Sequence, residues 1–323
     1  MIEVSIVIVC MNNLKNLYPC LESIRKYTTG VTYETLVVAY LFSSDNLDKV
    51  KRDFPWVTFI ESNEIRGFSE NNNVALRKAK GKYCFVLNDD TEMNMPVVDY
   101  LVKSIKVLPD NVAVLSPVTV FPNGDIQVCG RPPINWWNNI IFIKNIYNRF
   151  ISPKYCNKDG VFKSYNIIGA AFLIKRDIFE KFGWFDERYF FCPEDIALST
   201  ALNKAKYSCY VDSSIKVIHK EGMSGKTTSL LKTATKPAGD MGTLIYYSNN
   251  NRIKRVLFAL LFLVENSLKY IYHLCKCVFG IEPIYNKILM ISEKNTISTI
   301  MTSLTPKEIF MKYYLNLKEG TMG

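Results

Sequence analysis

The chain has 323 residues, of which 48% are hydrophobic and 22% charged, and its formal net charge is +10. This composition excludes a disordered chain, a collagen-like fibre and a small disulfide-stabilised scaffold. The longest unbroken apolar run, Val256–Val264, is far shorter than the ~20 residues that span a bilayer. The N-terminus lacks the basic flank and apolar stretch of a secretory signal.

The cysteines indicate the cellular compartment of the protein, and the positive charge indicates which kinds of partner it suits. The nine cysteines are scattered, and only Cys275 and Cys277 lie close together, without the second pair that a zinc site needs. Free thiols in apolar runs indicate a reducing compartment, so we expect a cytoplasmic protein, with the cytoplasmic face of the inner membrane as a further place of contact. The charge fits an anionic membrane surface, a phosphorylated substrate or nucleic acid, or solubility alone.

Up to residue 116, strand-like apolar runs alternate with helix-like amphipathic segments. The predicted strands are Val4–Cys10, Glu34–Tyr40, Val57–Glu61, Lys82–Leu87 and Val112–Ser116. The predicted helices are Asn16–Tyr27, Asp45–Phe54, Ser69–Lys80 and Pro96–Leu108. This alternation favours an α/β fold, in which a mostly parallel central sheet is covered by helices on both faces.

The pattern changes in the second part of the chain. Pro122–Asp125 has the composition of a hairpin turn, and a helix is predicted over Pro193–Lys206, with proline at its start. Gly222–Gly242 is rich in Ser, Thr, Lys and Gly, which is typical of a loop. We therefore expect a first domain divided into two halves, then a mobile loop or linker, then a helical C-terminal region: 1–116 with 117–225, 226–242, and 243–323.

Arg252–Val278 carries the clearest helical pattern of the C-terminal region. Its apolar residues recur every three or four positions, as on one stripe of a helix: Ile253, Leu257, Leu260, Val264, Leu268, Ile271, Cys275 and Val278. Five basic residues lie off this stripe: Arg252, Lys254, Arg255, Lys269 and Lys276. A basic amphipathic helix can lie in a membrane interface. It can equally pack on the preceding domain or on a second subunit, which would make the protein a homo-oligomer.

Three polar groups stand where a sheet of this kind binds ligands. Ligands gather at the carboxyl ends of the strands, where Asn88–Asp90 follows the fourth strand and His219 ends a later one. Two adjacent carboxylates leaving a buried strand favour a bound cation. Glu194 and Asp195 open a helix. Each group alone is also compatible with ordinary caps and turns.

Taken in chain order, these groups are part of a longer pattern. Its segments are Val4–Cys10 with Asn12 and Asn13, Gly67–Asn73, Asn88–Thr91, Gly124–Arg131, Gly169–Ile174, Gly183–Phe190, Glu194–Asp195 and His219–Ser224. In order and spacing the pattern resembles inverting family-2 glycosyltransferases of the GT-A fold. Within that family, the pattern is most similar to the rhamnosyltransferase-like branch that builds bacterial surface polysaccharides. The resemblance covers about residues 3–225, and the tail lies outside it.

The resemblance implies a metal site and a catalytic base. Asp90 matches the last acid of the family's metal-binding motif, Asp89 would support or share that role, and His219 matches a histidine that completes the metal shell. With two phosphate oxygens and water, these ligands suit Mn²⁺ or Mg²⁺. Asp195 matches the base that accepts the proton of the acceptor hydroxyl, with Glu194 in support.

The resemblance also implies residues that bind the nucleotide-sugar donor. Asn72 and Asn73 would meet the nucleotide or its phosphates near a helix N-terminus, and Asn12 and Asn88 lie after the first and fourth strands. Arg131, near Gln127 on a hairpin, would touch the donor diphosphate or the acceptor. A role in stabilising the loop explains Arg131 equally well.

The sequence departs from the family pattern at three positions. The second strand usually ends in an acid that contacts the nucleotide base, and here Ala39 stands in its place. The Glu-Asp motif usually continues with an Asp and then an Arg, and here these positions are Ala197 and Ala201. The loss of both removes a paired acid and base rather than leaving one charge alone, which spares Asp195.

The function expected from the sequence is metal-dependent, inverting glycosyl transfer. The donor would be a UDP- or dTDP-sugar, and the acceptor a glycan, including a lipid-linked one, in cell-surface polysaccharide synthesis. A non-catalytic nucleotide-sugar-binding subunit or scaffold is the alternative, and a nucleotidyltransferase a lesser one, because a Gly-rich phosphate loop is missing after the first strand. Nucleic acid is not expected as a partner, since no binding motif for it is present.

Overall fold

The described part of the protein forms two compact units. The structure is a computed structural model that describes residues 1–134, 152–220 and 230–318. The described residues within 1–65, 70–186 and 195–223 form the sheet unit. Those within 66–69, 187–194 and 224–323 form the helical unit.

The sheet unit contains ten strands and most of the first six helices. The strands are β1 Val4–Met11, β2 Tyr33–Tyr40, β3 Val57–Ser62, β4 Tyr83–Asn88, β5 Thr91–Glu92, β6 Val112–Val120, β7 Ile126–Val128, β8 Val161–Ser164, β9 Ala171–Lys175 and β10 Ser208–His219. The helices are α1 Leu14–Tyr27, α2 Ser44–Asp53, α3 Phe68–Leu76, α4 Val97–Lys106, α5 Arg176–Lys181 and α6 Glu194–Lys204.

The strands form one mixed sheet in the order β3-β2-β1-β4-β9-β6-β10-β5, with β7 beside β6 and β8 beside β10. The strands of the first half pair in parallel, as the alternating pattern predicts. Strand β9 then runs antiparallel between β4 and β6. This places the carboxyl ends of β1, β2 and β4 at one edge of the sheet, where the α/β class binds its ligands.

The core of the sheet unit explains why these strands are continuous apolar runs. Ile6, Ile8, Phe85 and Leu173 are completely buried in one hydrophobic cluster, and Leu101 of α4 packs in the same cluster. Parallel strands covered by helices bury both of their faces, so strict alternation of polar and apolar residues is not required. The α/β fold expected from the sequence is confirmed.

The helical unit contains four helices that follow the sheet in sequence. They are α7 Lys232–Ser248, α8 Arg252–Val278, α9 Pro283–Thr299 and α10 Pro306–Lys318. Helix α8 packs against α7 and α9, and α10 packs against α7. Among the described residues, one helix is long and apolar enough to cross a membrane by length and composition alone, and it is α8.

The prediction of a mobile loop or linker over 226–242 is wrong from Lys232 onward, where α7 begins. Residues 226–229 lie outside the described residues. The Gly-rich composition has a packing reason, because a side chain added at Gly242 would lie 2.4 Å from the carbonyl oxygen of Cys192, and one at Gly239 would lie 3.0 Å from that of Phe191. The glycines therefore leave room for the backbone of residues 191 and 192 to pack against α7.

Candidate functional site

Strand pairing brings Asp90 and His219 together across the sheet unit. The short strand β5 follows Asp90 directly and pairs antiparallel with the end of β10, so that His219 lies opposite Thr91. The backbone N–H of Lys220 also donates to the carbonyl of Asp90 at 3.0 Å. As a result, Nε2 of His219 lies 3.4 Å from Oδ1 of Asp90, whose side chain is 1% exposed.

Gln127 on β7 orients the imidazole of His219. Its Nε2 donates to the backbone carbonyl of His219 at 2.5 Å, and its Oε1 lies 2.9 Å from Nδ1 of the same residue. Because the amide oxygen can only accept, Nδ1 of His219 must donate to it. A neutral His219 then presents the lone pair of Nε2 toward Asp90, in the tautomer that a metal ligand requires.

Asp89 has a different environment from its neighbour. Its side chain is buried next to the thiol of Cys10 at the end of β1. The pKa of Asp89 is raised to about 7, chiefly by burial and in part by the charge of Asp90, while the hydrogen bond with Cys10 opposes the shift. Burial also raises the pKa of the Cys10 thiol, which is therefore neutral. A bound cation would favour the ionised form of Asp89.

Asp195 is held at the start of α6 by an ion pair and by backbone groups. Nη1 of Arg131 lies 2.5 Å from Oδ2 of Asp195 and also donates to the carbonyl of Ile167 at 3.0 Å. The backbone N–H of Ile196 donates to Oδ1 at 2.8 Å. A side chain added at Gly169 would lie 2.9 Å from Oδ2, so the glycine leaves the space that the carboxylate occupies.

The segment 127–131 connects the two parts of the candidate site. Gln127 contacts His219 at one end of it, and Arg131 contacts Asp195 at the other. Four residues of extended chain span at most about 14 Å, so the backbones of Gln127 and Arg131 lie within that distance, and their side chains reach from there to the imidazole and to the carboxylate. The structure thus gathers Asp90, His219 and Asp195, which are far apart in sequence, around one short segment.

The residues present fit a cation for which the protein supplies only some of the ligands. Within the three described ranges, no cluster of three or more His, Cys, Asp and Glu side chains forms a ready metal cage. Asp90 and His219 offer one carboxylate and one imidazole at 3.4 Å from each other. A hard divalent ion needs more oxygen ligands than these two residues supply, and a diphosphate with water is the chemically suitable source. The site therefore fits an ion that arrives with a phosphorylated ligand.

Arg131 and the four predicted donor-binding asparagines make different contacts. Nη1 of Arg131 donates to Asp195 and to the backbone carbonyl of Ile167. Asn12 lies after β1 and accepts hydrogen bonds from the N–H of Ser43 and the side chain of Asn46, and Asn88 ends β4.

Asn73 is buried inside the sheet unit rather than facing a ligand. It has no exposed surface and donates to and accepts from the backbone of Phe185, at 2.9 and 3.1 Å, so it fixes that segment. Asn72 is 1% exposed. Both side chains are buried, so donor contact by Asn72 and Asn73 stays a prediction.

Two further predicted positions, Glu194 and Ala39, are buried. Glu194 is buried at the first position of α6 and falls in the helical unit. Ala39 is buried near the end of β2, so the position of the missing base-contacting acid is apolar. Residues 221–224 of the last predicted motif lie outside the described residues.

Gln127 and Gly169 are the functional residues whose roles the sequence did not indicate. Both belong to recognised segments, but their contacts depend on where distant backbone lies. Gln127 and His219 are separated by 92 positions, and Gly169 and Asp195 belong to different elements. The only signal in the sequence was the polar Gln127 beside a turn, and that signal is common in hairpins.

Most of the sheet unit matches one known protein family. A sequence model described as "Glycosyl transferase family 2" matches residues 5–183. The O-antigen biosynthesis protein RfbC of Myxococcus xanthus is 23% identical over 218 residues, which make up 66% of this chain. The match covers only 16% of the length of that protein.

Two solved structures share the fold. GalNAc-T7, determined with UDP, GalNAc and Mn²⁺, has a TM-score of 0.54 at 18% identity, over 68% of this chain and 43% of its own. The mannosyltransferase PcManGT from Pyrobaculum calidifontis, in complex with GDP-Man and Mn²⁺, has a TM-score of 0.52 at 14% identity, over 99% of this chain and 79% of its own. These likenesses confirm the GT-A fold class.

Proposed function

Because the chain belongs to glycosyl transferase family 2, we propose that it transfers a sugar from a UDP- or dTDP-linked donor to a glycan with inversion at the anomeric carbon. The observation that carries the proposal is the pairing of Asp90 with His219, joined through 127–131 to the carboxylate of Asp195. The name of the Myxococcus relative supports a surface polysaccharide as the product. The rhamnosyl group is a candidate sugar on the motif resemblance alone.

Asp90 and His219 would hold a divalent cation, Mn²⁺ or Mg²⁺, together with the donor diphosphate. When bound, such an ion neutralises the charge that develops on the leaving nucleoside diphosphate. Gln127 keeps Nε2 of His219 available as a ligand by binding Nδ1. The cation found in both structural neighbours, Mn²⁺, supports this assignment.

Asp195 would accept the proton of the acceptor hydroxyl as its oxygen attacks the anomeric carbon. Arg131 and the backbone N–H of Ile196 at the start of α6 hold this carboxylate in place. A carboxylate is a weak base, but the hydroxyl becomes strongly acidic as the new C–O bond forms. A single displacement from the face opposite the leaving group inverts the centre and needs no covalent intermediate. Glu194 would support the start of the helix.

The remaining parts of the proposal concern the partners. A lipid-linked glycan is an acceptor that the relative's role in O-antigen synthesis supports, and it would place the enzyme in the cytoplasm at the inner membrane. Asn12, Asn88, Asn72 and Asn73 remain candidates for donor contact. The apolar position of Ala39 supports a donor whose base is recognised by other groups.

The alternative is a subunit that binds nucleotide-sugars without turnover. It is favoured by the alanines at positions 39, 197 and 201, where the family pattern has charged residues. It is also favoured by the Arg131 ion pair, which engages the carboxylate that would act as base. The two functions differ in whether nucleotide is released.

The test is nucleotide release from UDP- and dTDP-sugars by the purified full chain, with Mn²⁺ and with a chelator, over a set of glycan acceptors. We expect metal-dependent release that falls by about 10²–10⁴-fold in Asp195→Asn while donor binding is retained. Asp177→Asn, an exposed acid on α5, is the control and should behave as wild type. Donor binding without release across all acceptors would establish the alternative instead.

A further inference from the structure

Helix α8 exposes a row of large apolar side chains along its whole length. The exposed fractions of Ile253, Val264 and Leu268 are 74%, 61% and 64%. The other members of this apolar face are also exposed: Val256, Leu257, Leu260, Leu261, Ile271, Tyr272, Leu274 and Val278. Phe279, Ile281 and Ile284 extend it past the end of the helix. At 1.5 Å per residue, α8 presents this face over about 40 Å.

The opposite side of α8 is the one that packs inside the helical unit. Phe258, Ala259 and Asn266 are its buried residues, and they lie on the side of the helix that meets α7 and α9. At 100° per residue, the centre of the exposed row is turned about 180° from these three. The apolar face is thus the side that remains after the helix has packed, and no described residue covers it.

The charges around this face are mostly positive. Lys254 lies along one edge of the apolar row and Arg252 along the other, and the ammonium of Lys276 lies 4.7 Å from the ring of Tyr272 in the row. Lys269 lies further toward the packed side and pairs with Glu265 at 2.6 Å. Between residues 230 and 318 there are twelve Lys and Arg against five Asp and Glu, a net charge of +7, so most of the chain's +10 lies here. An apolar row bordered by lysines complements a surface that is apolar below and anionic above.

We propose that the apolar face of α8 lies on an anionic lipid surface, with its axis parallel to the membrane plane. A second copy of the chain is the less favourable occupant, because a twofold contact through this row would bring two strongly positive units together. A transbilayer orientation is also disfavoured. Mid-helix Asn266 accepts from Lys236 of α7 at 2.6 Å, and the Lys269–Glu265 pair lies at the same level.

The proposal is independent of glycosyl transfer and is tested on the full chain. Flotation with vesicles of phosphatidylcholine, with and without phosphatidylglycerol, is compared for wild type and two triple variants. Leu257→Ser/Val264→Ser/Leu268→Ser removes apolar surface, and Lys254→Gln/Lys269→Gln/Lys276→Gln removes charge. The control, Val107→Ser/Val161→Ser/Leu315→Ser, changes exposed apolar residues elsewhere. Sedimentation without lipid reports association of the chain with itself.

We expect wild type and the control to bind the anionic vesicles and to remain monomeric without lipid. The serine variant should lose at least about tenfold of its partitioning, and the glutamine variant about ten- to a hundredfold, with the latter loss confined to anionic vesicles. Unchanged circular dichroism and thermal unfolding show that the variants are folded. Equal vesicle binding by wild type and the serine variant overturns the proposal. So does a lipid-free dimer that the serine variant abolishes.

Discussion

The two units of the protein place polar and apolar residues in opposite ways. In the sheet unit the apolar runs disappear from the surface: Ile6 and Phe85 have no exposed area, and the buried acids Asp89 and Asp90 directly follow the end of β4. In the helical unit Asn266 and Glu293 are buried at 2% and 3% exposed, while Ile253 and Leu268 are mostly exposed. An apolar pattern therefore shows which residues avoid water, but not whether their partner belongs to the same chain.

The buried polar residues of the helical unit form one network. Nζ of Lys236 contacts Asp240, Glu293, Asn266 and Thr296 at 2.6, 2.8, 2.6 and 3.4 Å, joining three helices. Burial alone would lower the pKa of Lys236, but the charges of Asp240 and Glu293 raise it above its ordinary value. The lysine is therefore charged, and the network is an ion pair inside a helical core.

The largest effect that we predict on stability is that of breaking this network. Lys236→Met leaves Glu293 buried without its cation, and we expect the free energy of unfolding to fall by about 3–5 kcal/mol. Urea-induced unfolding followed by circular dichroism measures it. Lys294→Met, which removes an exposed lysine from the same helix as Glu293, should change it by less than about 0.5 kcal/mol.

A second variant separates lost charge pairing from lost packing. In Lys236→Met/Glu293→Met the lysine and its more buried acid are replaced by apolar side chains, while Asp240, 23% exposed, keeps the hydrogen bond from Thr296. Much of the lost stability should therefore return. If Lys236→Met is as stable as wild type, the network does not hold the helices together. The helical unit would then differ from the sheet unit only in the exposed apolar face of α8.

The next effect concerns the polar site of the sheet unit. Gln127→Ala removes the acceptor that fixes Nδ1 of His219, so we expect Mn²⁺ affinity in the presence of UDP to fall about 10–100-fold. Loss of the free Mn²⁺ signal in electron paramagnetic resonance measures this directly. Ile126→Ala, at an exposed neighbour on β7, is the control and should bind as wild type.

Gln127→Glu sharpens the same prediction. It keeps an oxygen for Nδ1 of His219, loses the donor to the backbone carbonyl and adds a negative charge beside the imidazole, so its affinity should exceed that of Gln127→Ala. Equal Mn²⁺ affinity in all three proteins would show that Gln127 does not position the imidazole. A fall in thermal stability without a change in Mn²⁺ affinity would assign Gln127 to packing.

The sequence was informative where a motif and its partner share a local element. Apolar runs and caps predict strands β1 to β4 and β6 and the helices α1 to α4 between them, but not the short strand β5, and the helical stripe of α8 is present as predicted. Contacts such as Gln127 with His219 depend on β7 and β10 lying near each other, which no local pattern encodes. Asn73 shows the same limit, because its side chain binds the backbone of Phe185, 112 positions away.

The helical unit shows a second limit of sequence analysis. The stripe of α8 was correctly located, but a stripe has the same spacing whether it packs on its own chain, a second copy or a membrane. The opposite side carries Phe258 and Asn266, and it packs because α7 and α9 supply partners for both an apolar and a polar group. Composition likewise concealed α7, whose glycines serve a close backbone contact.

The smallest predicted effect tests the exposed side of α8 against its buried side. Val264→Ser alters a residue that is 61% exposed, so we expect the free energy of unfolding without lipid to change by less than about 0.5 kcal/mol. Phe258→Ala, on the buried side of the same helix at 7% exposed, should lower it by about 3–5 kcal/mol. Both are measured by urea unfolding at several protein concentrations. A loss in Val264→Ser that grows with protein concentration would mean that a second copy covers the face, because only an association equilibrium makes stability depend on concentration.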